Sequence, residues 1–506
     1  MSSNRGAAQE FDTYIRTEDI PPEKILEYYV ESEDDSSIFS QLKGPTPVVL
    51  RGCRGMGKSF LMRTAISQMN GDWENAGNDQ RERLPYGVYS TLASAAIEVN
   101  ASATAYEFQQ WIIQQLQDSI LKAFQDRFTV PADDLEPTVG SLLALTDSLQ
   151  QVARFSRLIL FVDEAAHVLN PARQMQFFSL MRSLRSPSLT LNAAVYPGVT
   201  YYGTEFEIGE DAEIVDLTKD PTSSEYLAWC KALASKQAPA RFDAVPDQNF
   251  TYLAYAASGN PRSLLRLMLD GGKTFNAIEK HVDQTTARHS DLAEKYPGRA
   301  DVVDWGREFY EDHIVPQLIE RNLKLFEDAE NEDSRVFLWI DSKAPAGVRL
   351  AVDLLCYSGL LFLHGRKLRT RQSTGTRYVV NLGCILNDFK NNEQRKRFAD
   401  GLKTGVSPKR WVEFQGTSES FEDSPAVDLT DPQAAEIDID KIVKRPIDRL
   451  ELSDKIITRL KEGGFSTIES IYDATEDDLK TVPYIGPKRA DDIYQAVRVA
   501  IYEMIS

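Results

Sequence analysis

Residues 47–61 join an apolar run to a glycine-rich loop that ends in Lys-Ser, in the order PVVLRGCRGMGKSFL. A strand, this loop and then an amphipathic helix form the pattern of a phosphate-binding loop, whose glycines let the backbone curl around a phosphate. The helix start adds its positive dipole end, Lys58 would reach the β- and γ-phosphates, and the Ser59 hydroxyl would bind Mg²⁺.

This loop predicts nucleotide binding. An ordinary strand, turn and helix in a core is the weaker alternative, because the match is complete and its flanks fit. The predicted nucleotide contacts are Gly52, Cys53, Arg54, Gly55, Met56, Gly57, Lys58, Ser59 and Phe60.

Residues 157–164, RLILFVDE, supply a second part of the predicted site. The apolar run is typical of a strand buried on both faces of a parallel sheet, and two carboxylates follow at its carboxyl end, where open α/β sheets bind ligands. Asp163 would hold Mg²⁺ through water, and Glu164 would polarise the attacking water. The alternative is that the pair opens the next helix. With the phosphate loop upstream, catalysis is favoured.

Residues 256–266, AASGNPRSLLR, carry a third motif. Gly-Asn-Pro is a helix-start signal, with Asn260 as N-cap and Pro261 at the first helical position. Together the three motifs resemble the AAA+ branch of the additional-strand P-loop ATPases, and the third resembles the second sensor of its origin-recognition-complex-like members. The resemblance implies ATP as the nucleotide, and an Arg262 that opens a helix of a small lid and touches the γ-phosphate.

The resemblance covers roughly residues 15–290 and is specific at the three motifs. It gives the following predicted roles: catalytic, Lys58, Glu164 and Arg262; metal-binding, Ser59 and Asp163.

Two features depart from that family. The first sensor should be a polar residue at the end of the fourth strand, where Asn192, Tyr196 and Thr200 are the candidates, and core packing is favoured for Tyr196. Residues 186–240 contain no arginine, so an arginine finger on the usual element is absent. Arg182 and Arg185 could reach a neighbouring subunit, although surface charges at a helix end are the more common role of such residues. We therefore expect ATP hydrolysis that is slow or depends on a partner.

Composition bounds the remaining possibilities. The 506 residues are enough for about three domains, and a 42% hydrophobic fraction is ample for their cores. Scattered cysteines, without paired spacing, favour reduced thiols over disulfides or zinc. The sequence shows no apolar run of membrane-spanning length and no apolar segment typical of a secretory signal, so we expect a cytoplasmic protein. A net charge of −19 means that any contact with nucleic acid must be local.

One local candidate is a basic segment flanked by two apolar strands at residues 360–380. No acidic residue occurs between positions 354 and 387, and an amphipathic stretch precedes the strands. This resembles a winged helix with a charged wing, the module that follows the lid in origin-recognition-like ATPases. A solvated hairpin without DNA contact is the alternative. The residues predicted to contact DNA here are Arg366, Lys367, Arg369, Arg371 and Arg377.

The C-terminal tail is the second candidate. Residues 405–445 lose periodicity and are rich in Ser, Asp, Glu and Pro, which predicts a flexible acidic linker. Residues 446–506 resemble the helix-hairpin-helix domain of the RNA polymerase α subunit, and the resemblance implies that Gly486, Lys488 and Arg489 hold a DNA phosphate. Against this, the segment has eight Lys and Arg but twelve Asp and Glu, and Tyr484 replaces the first hairpin glycine. A protein-docking module is the near-equal alternative.

Periodicity also predicts individual elements. We expect a leading helix over 23–42, a second strand over 86–92, a long helix over 103–128 and a fifth strand over 212–217. Residues 301–333 are predicted to be a helical connection. Tyr28 and Tyr29 on the leading helix could stack on adenine, with core packing the alternative.

The predicted fold is an α/β P-loop NTPase with an AAA+-like, five-stranded parallel sheet, a helical lid, a winged helix and a C-terminal all-α helix-hairpin-helix domain. The predicted boundaries are 1–220 for the ATPase core, 221–290 for the lid, 291–404 for the winged helix, 405–445 for the linker and 446–506 for the tail domain. We expect an ATP-dependent switch that acts on DNA and contacts a protein partner or itself through the core. The alternative is a nucleotide-switched scaffold whose appended domains bind proteins.

Overall fold

The structure, a computed structural model, describes residues 17, 20–94, 104–128, 135–165, 170–270, 273–327, 333–369, 373–404, 406–427, 444–450, 452, 454–490, 493–494 and 497. In chain order they form a parallel α/β core, a group of helices, a second sheet with its own helices, and a small all-helical unit. Within these residues, no helix is both long and apolar enough to cross a membrane.

In the described part of the chain, five strands form the first sheet: β1 (Val48–Arg51), β2 (Tyr86–Thr91), β3 (Leu158–Asp163), β4 (Leu189–Val195) and β5 (Glu213–Asp216). All neighbours pair in parallel, in the order β2-β3-β4-β1-β5. The predicted five-stranded parallel sheet is confirmed. Because all carboxyl ends lie at one edge, the loop after β1 and the acid pair at the end of β3 face one crevice, on either side of β4.

The helices of this core are α1 (Ile25–Tyr28), α2 (Asp35–Leu42), α3 (Lys58–Asn75), α4 (Asn78–Arg81), α5 (Ala105–Phe124), α6 (Val139–Ala153) and α7 (Pro171–Ser183). The prediction of one leading helix over 23–42 is wrong, because a non-helical segment separates α1 from α2. Tyr29 is extended there, and the Asp35 carboxylate accepts the Ser32 N–H at 2.9 Å and the Tyr29 hydroxyl. These local bonds replace helical ones.

The next region is helical: α8 (Tyr226–Gln237), α9 (Pro239–Ala244), α10 (Asp247–Ala257), α11 (Pro261–Leu269) and α12 (Thr274–Lys295). Helix α11 begins as predicted, with Pro261 at its first position and the Asn260 side chain accepting the Ser263 N–H at 3.1 Å. Helix α12 continues five residues beyond the predicted lid boundary at 290.

The predicted connection over 301–333 is helical in its described part, from α13 (Ala300–Glu308) through a π-helical turn (Phe309–Ile314) to α14 (Val315–Glu327). The second sheet consists of β6 (Phe337–Asp341), β7 (Leu361–Arg369), β8 (Thr374–Val380) and β9 (Trp411–Phe414), in the order β7-β8-β6-β9. Its helices are α15 (Ala346–Ser358), α16 (Leu382–Asp388) and α17 (Asn392–Thr404). Strands β7 and β8 form the predicted hairpin, and its winged-helix assignment stays a prediction.

The structure differs from the prediction of a flexible linker over 405–445 in the first part of that range. Strand β9 pairs in parallel with β6, and Phe421 is buried against the rings of Phe309 and Phe414. The acidic side chains of this stretch, such as Glu413, are exposed, so a few apolar residues among many charges are enough to fix it. Residues 428–443 of the predicted linker lie outside the described part of the chain.

The tail contains α18 (Asp454–Glu462), α19 (Ile468–Tyr472) and α20 (Glu476–Lys480). Its apolar residues form a hydrophobic cluster of their own, which includes Ile485, Ala490 and Ile493. The tail therefore has a core that is separate from the rest of the chain.

We expect Phe421→Ala to lower the free energy of unfolding by roughly 3–5 kcal/mol, because truncating a buried aromatic side chain leaves a cavity. Urea unfolding of the full chain, followed by tryptophan fluorescence, measures the loss. Glu419→Ala, on the same turn but exposed, is the control and should stay within about 0.5 kcal/mol of the parent. Equal stability of the two variants would mean that residues 411–427 are linker after all.

Candidate nucleotide site and basic surfaces

The glycine-rich loop that joins β1 to α3 contains two glycines in the left-handed backbone conformation. Gly55 has φ +83° and Gly57, the N-cap of α3, has φ +87°. Side chains with a Cβ rarely adopt this conformation, and a Cβ on Gly55 would lie 2.7 Å from the Asn260 side-chain oxygen. These glycines therefore set both the curl of the loop and its close contact with the lid.

Lys58 is buried at the first position of α3. Its ammonium group donates to the carbonyls of Gly52 at 2.8 Å and Cys53 at 3.2 Å, and it lies 3.4 Å from the ring centre of Tyr196. Burial lowers the pKa of Lys58 to about 8, against the opposing effect of the Glu164 carboxylate. An anionic group brought next to this ammonium would favour its charged form.

Asp163, the last residue of β3, is buried beside the loop. It accepts hydrogen bonds from the hydroxyls of Tyr89, at 2.7 Å, and Ser59. Burial raises the pKa of the Asp163 carboxyl, and the charge of Glu164 raises it further. The structure thus brings together the two residues predicted to bind the metal, and the pair supplies the hydroxyl and carboxylate oxygens that Mg²⁺ prefers.

Glu164 follows the strand in a left-handed conformation, with φ +57°. Its carboxylate accepts the Tyr196 hydroxyl at 3.1 Å. The described chain does not continue from Glu164 into a helix: α7 begins at Pro171, with Asn170 as its N-cap. The acid pair therefore does not cap α7, and residues 166–169 lie outside the described part of the chain.

Tyr196 is the site residue that the sequence interpretation underrated. It follows the last residue of β4, is only 5% exposed and packs in a hydrophobic cluster as the sequence favours, but it also contacts Lys58 and Glu164. Asn192 instead accepts the Val48 N–H and donates to the Leu42 carbonyl, both at 2.9 Å. The strand-end position did indicate Tyr196. Its residue type, an aromatic ring after a buried strand, indicated the core packing but not the two polar contacts.

The lid contacts the loop directly through the residues before and at the start of α11. The Asn260 side-chain amide donates to the Arg54 carbonyl at 2.7 Å, and the Arg262 N–H donates to the Gly55 carbonyl at 3.4 Å. The structure therefore brings the third sequence motif onto the first.

A cavity of about 400 Å³ lies between these motifs. The loop, Asp163, Glu164 and Arg262 line one part of it, and apolar residues such as Trp229 line another. This volume is within the range of small-molecule and cofactor sites. Tyr29 also lines the cavity, with its ring stacked 6.2 Å from that of Phe60.

The two candidates for an arginine finger lie on the outer surface and donate hydrogen bonds to backbone carbonyls of their own chain. Arg182 donates to the Glu205 carbonyl at 3.0 Å, and Arg185 donates to the Glu210 carbonyl at 3.3 Å. Both are exposed on the last turn of α7 or just after it.

Of the five basic residues predicted on the hairpin, the four that the structure describes differ in their contacts. Lys367 and Arg369 are exposed, and Arg371 lies outside the described residues. Arg366 is exposed as well, but it pairs with Asp216 at the end of β5, at 3.0 Å. Arg377 donates to the His364 ring and to the Pro408 carbonyl. Near its tip, therefore, the described hairpin presents exposed cations, and at its base the cations contact protein.

In the tail, the three residues predicted to hold a phosphate are exposed on one hairpin, at Gly486, Lys488 and Arg489. Arg489 donates to the Tyr484 carbonyl at 2.7 Å. Tyr484 is 75% exposed with φ +70°, and the Arg459 guanidinium lies 4.3 Å from its ring centre. The hairpin thus exposes a cation, a glycine and an aromatic ring together.

Residues 11–98 match a protein-family model described as ORC-CDC6-like, and residues 452–498 match one described as a SAM-like helix-hairpin-helix tandem. These matches confirm the two resemblances for those residues. A search of curated proteins finds no match.

Solved structures that are similar to this chain include the following two. One is the Orc1 protein of Aeropyrum pernix in complex with DNA, with 13% identity and a TM-score of 0.31, over 73% of this chain and 92% of that one. The other is AMPPCP-bound DnaA from Aquifex aeolicus, with 13% identity and a TM-score of 0.28, over 59% of this chain and 77% of that one.

We expect Asn260→Ala to loosen the contact between lid and loop, because it removes both the α11 N-cap and the hydrogen bond to Arg54. The lost cap alone costs about 1 kcal/mol. Amide hydrogen exchange in residues 261–269 should become faster. Asn260→Asp is the matched control for the cap, since its carboxylate still accepts the Ser263 N–H but cannot donate to the Arg54 carbonyl. Unchanged exchange in both variants would contradict the described contact.

Proposed function

We propose that this chain, similar at its N-terminus to origin-recognition-complex-like AAA+ ATPases, is an ATP-binding and ATP-hydrolysing switch that acts on DNA. The observation that carries the proposal is the convergence of three separate sequence motifs on one cavity: the loop with Lys58, the acid pair with Tyr196, and the lid with Arg262. Chance packing has no reason to bring a buried lysine, two carboxylates and a lid arginine to one crevice.

The triphosphate of ATP would follow the loop, with the Lys58 ammonium exchanging its two carbonyl partners for phosphate oxygens. Arg262 would then contact the γ-phosphate from the lid. The apolar part of the cavity, including Tyr29 and Trp229, would receive the adenine. Mg²⁺ would be held by Ser59 and Asp163 and would neutralise phosphate charge.

Glu164 is the proposed general base for the attacking water, and Tyr196 is its positioning residue. The Tyr196 hydroxyl fixes one Glu164 oxygen, and its ring is in contact with Lys58, so one side chain joins the base to the phosphate-binding lysine. Hydrolysis is proposed to be slow in the isolated chain. Residues 186–240 contain no arginine, so a partner or a second copy of the core would supply the missing cation.

DNA contact is proposed for two exposed surfaces, the hairpin near its tip and the tail hairpin. The family match over residues 452–498 supports the second, since exposed backbone N–H groups and cations at a helix start suit a phosphate. The four buried free cysteines are consistent with a reduced compartment, and we propose a cytoplasmic location.

A second candidate function is a nucleotide-switched scaffold whose appended domains bind proteins. Specific observations favour it: the tail hairpin exposes Tyr484, the tail carries more acidic than basic residues, and the base of the first hairpin already binds protein through Arg366. A duplex that neither binds nor changes the ATPase rate would favour this candidate over a DNA switch.

Lys58→Met should weaken ATP binding by tenfold or more, roughly the worth of a charge-assisted hydrogen bond. The free protein has a Lys58 pKa of about 8, and a triphosphate would raise it. Affinity is therefore fully developed below that pH and falls as the pH rises through the higher pKa of the complex, with proton uptake on binding. Calorimetry in two buffers of different ionisation enthalpy measures both effects. Unchanged affinity in Lys58→Met would refute this role.

Glu164→Gln should keep ATP affinity while lowering turnover by about 10²-fold or more, since it removes the base and keeps the shape. Tyr196→Phe keeps the ring against Lys58 and loses one hydrogen bond, so turnover should fall on the order of five- to tenfold with unchanged affinity. Single-turnover hydrolysis, with ATP affinity measured separately, tests both variants. If Glu164→Gln hydrolyses ATP as fast as the unsubstituted protein, another group is the base.

A further inference from the structure

The base of the β7–β8 hairpin contacts the edge of the first sheet through two pairs, each made of a nitrogen donor on the hairpin and an aspartate carboxylate on the sheet side. The Arg366 Nε lies 3.0 Å from Asp216 Oδ2, and the His364 Nε2 lies 2.9 Å from Asp220 Oδ2. Both hairpin residues come from β7, and both carboxylates lie at or just after the end of β5. Two donors of one strand thus meet two carboxylates of another part of the chain.

The donors are held in place by their neighbours. Arg377 directs its Nε and Nη2 at His364 Nδ1, at 3.1 and 2.9 Å. A guanidinium has only donors, so Nδ1 is the acceptor and the ring proton is on Nε2, where it is donated to Asp220. The guanidinium of Arg377 also lies 5.2 Å from the Phe337 ring centre.

A bulge turns Arg366 toward the core. The pairing of β7 with β8 shifts register between Gly365 and Leu368, and Lys367 within the bulge has φ +53°. Bulges of this kind re-aim side chains. Arg366 therefore points back to Asp216, while the side chain of Lys367 is exposed.

The contact also reaches the strand that leads into the phosphate loop. Asp216 accepts from Arg51 at 2.7 and 3.0 Å, and Arg51 immediately precedes Gly52. Although burial acts to raise it, the pKa of Asp216 is held below its usual value by Arg51 and Arg366. A third carboxylate, Asp353, faces the same cluster, and burial raises its pKa.

The chemistry of this surface suits a phosphodiester as well as a carboxylate. Both are anions with oxygen acceptors that arginine and imidazole N–H groups bind. Positions 354–387 contain no acidic residue, so nothing on the hairpin itself would repel a phosphate. In this conformation, Asp216 and Asp220 provide the oxygens that such donors would take from nucleic acid.

We propose that His364 and Arg366, with Arg377 positioning the His364 ring, form a phosphodiester-binding site which Asp216 and Asp220 occupy as internal phosphate mimics, so that the core and nucleic acid compete for the base of the hairpin. The inference rests on the proposed action on DNA and adds its regulation. Because Asp216 is also bound to Arg51, the strand of the phosphate loop is part of the competing surface. Release of the hairpin frees two donors, His364 and Arg366, that add to the exposed Lys367 and Arg369.

The test uses the full chain and a fluorescent 20-base-pair duplex. Asp216→Asn with Asp220→Asn removes both mimics and keeps their shape. Glu210→Gln with Glu213→Gln is the matched control, since it removes two exposed carboxylates from the same edge without touching the hairpin. We expect the first variant to bind the duplex about tenfold more tightly than the control. Its log-log salt dependence should steepen by roughly one to two units, as for one or two new phosphate contacts.

A second readout separates release from binding. Amide exchange in residues 361–369 should rise in the first variant and not in the control. Adding Arg366→Ala to the first variant should remove the gain in affinity. Asp220→Asn alone leaves the Asp216 to Arg51 pair intact and serves as the test if the double change impairs folding. Its affinity for the duplex should rise by a smaller factor, on the order of threefold.

The outcomes distinguish this inference from the proposed function. If the parent binds the duplex but the first variant binds no better than the control, the hairpin base is not a phosphate site, and DNA binding resides elsewhere. Faster exchange without tighter binding overturns the inference in the same way. If no variant binds the duplex while ATP still binds, the action on DNA fails together with it, and the ATP site stands.

Discussion

The shape of the phosphate loop is the constraint on which the rest of the site depends. Two glycines in left-handed conformations curl it, but a curled loop needs other groups to hold it. Lys58 holds the carbonyls of its first half, and Asn260 of the lid holds the Arg54 carbonyl in its second half. The loop is therefore held by hydrogen bonds from its own helix and from the lid, so a change in the loop conformation must alter both sets of bonds.

A second line of contacts runs from the loop through Tyr196. The ring of Tyr196 lies between the Lys58 ammonium and, at 5.9 Å, the ring of Tyr357 on α15. Its hydroxyl bonds Glu164. Gly198, just after it, has its Cβ position 2.9 Å from the backbone of Asp353 on the same helix. The region after the lid thus packs directly behind the acid pair, which gives a physical route from nucleotide to hairpin.

The sequence predicts the parts of this structure that depend on local pattern. The five strands and the acid at the end of β3 follow from apolar runs and their ends, and the start of α11 follows from Asn260 and Pro261. The leading helix is interrupted by local bonds of the Asp35 side chain, which the apolar pattern does not show. Elsewhere prediction fails where a distant partner decides: β9 pairs with β6 although it lies in an acidic stretch, and Tyr196 bonds Glu164 in the site. Likewise, the hairpin cations can be counted in the sequence, but the pairing of Arg366 with a carboxylate 150 positions away cannot.

In the proposed function, the state of the bound nucleotide sets the affinity of the protein for DNA. The most direct test is the affinity of the intact protein for duplex DNA at saturating ADP and at saturating non-hydrolysable ATP analogue, at one salt concentration. We expect tighter binding with the ATP analogue, by about fivefold or more, which corresponds to a coupling of about 1 kcal/mol or more. Equal affinities in the two states, with nucleotide occupancy verified in each, would contradict it.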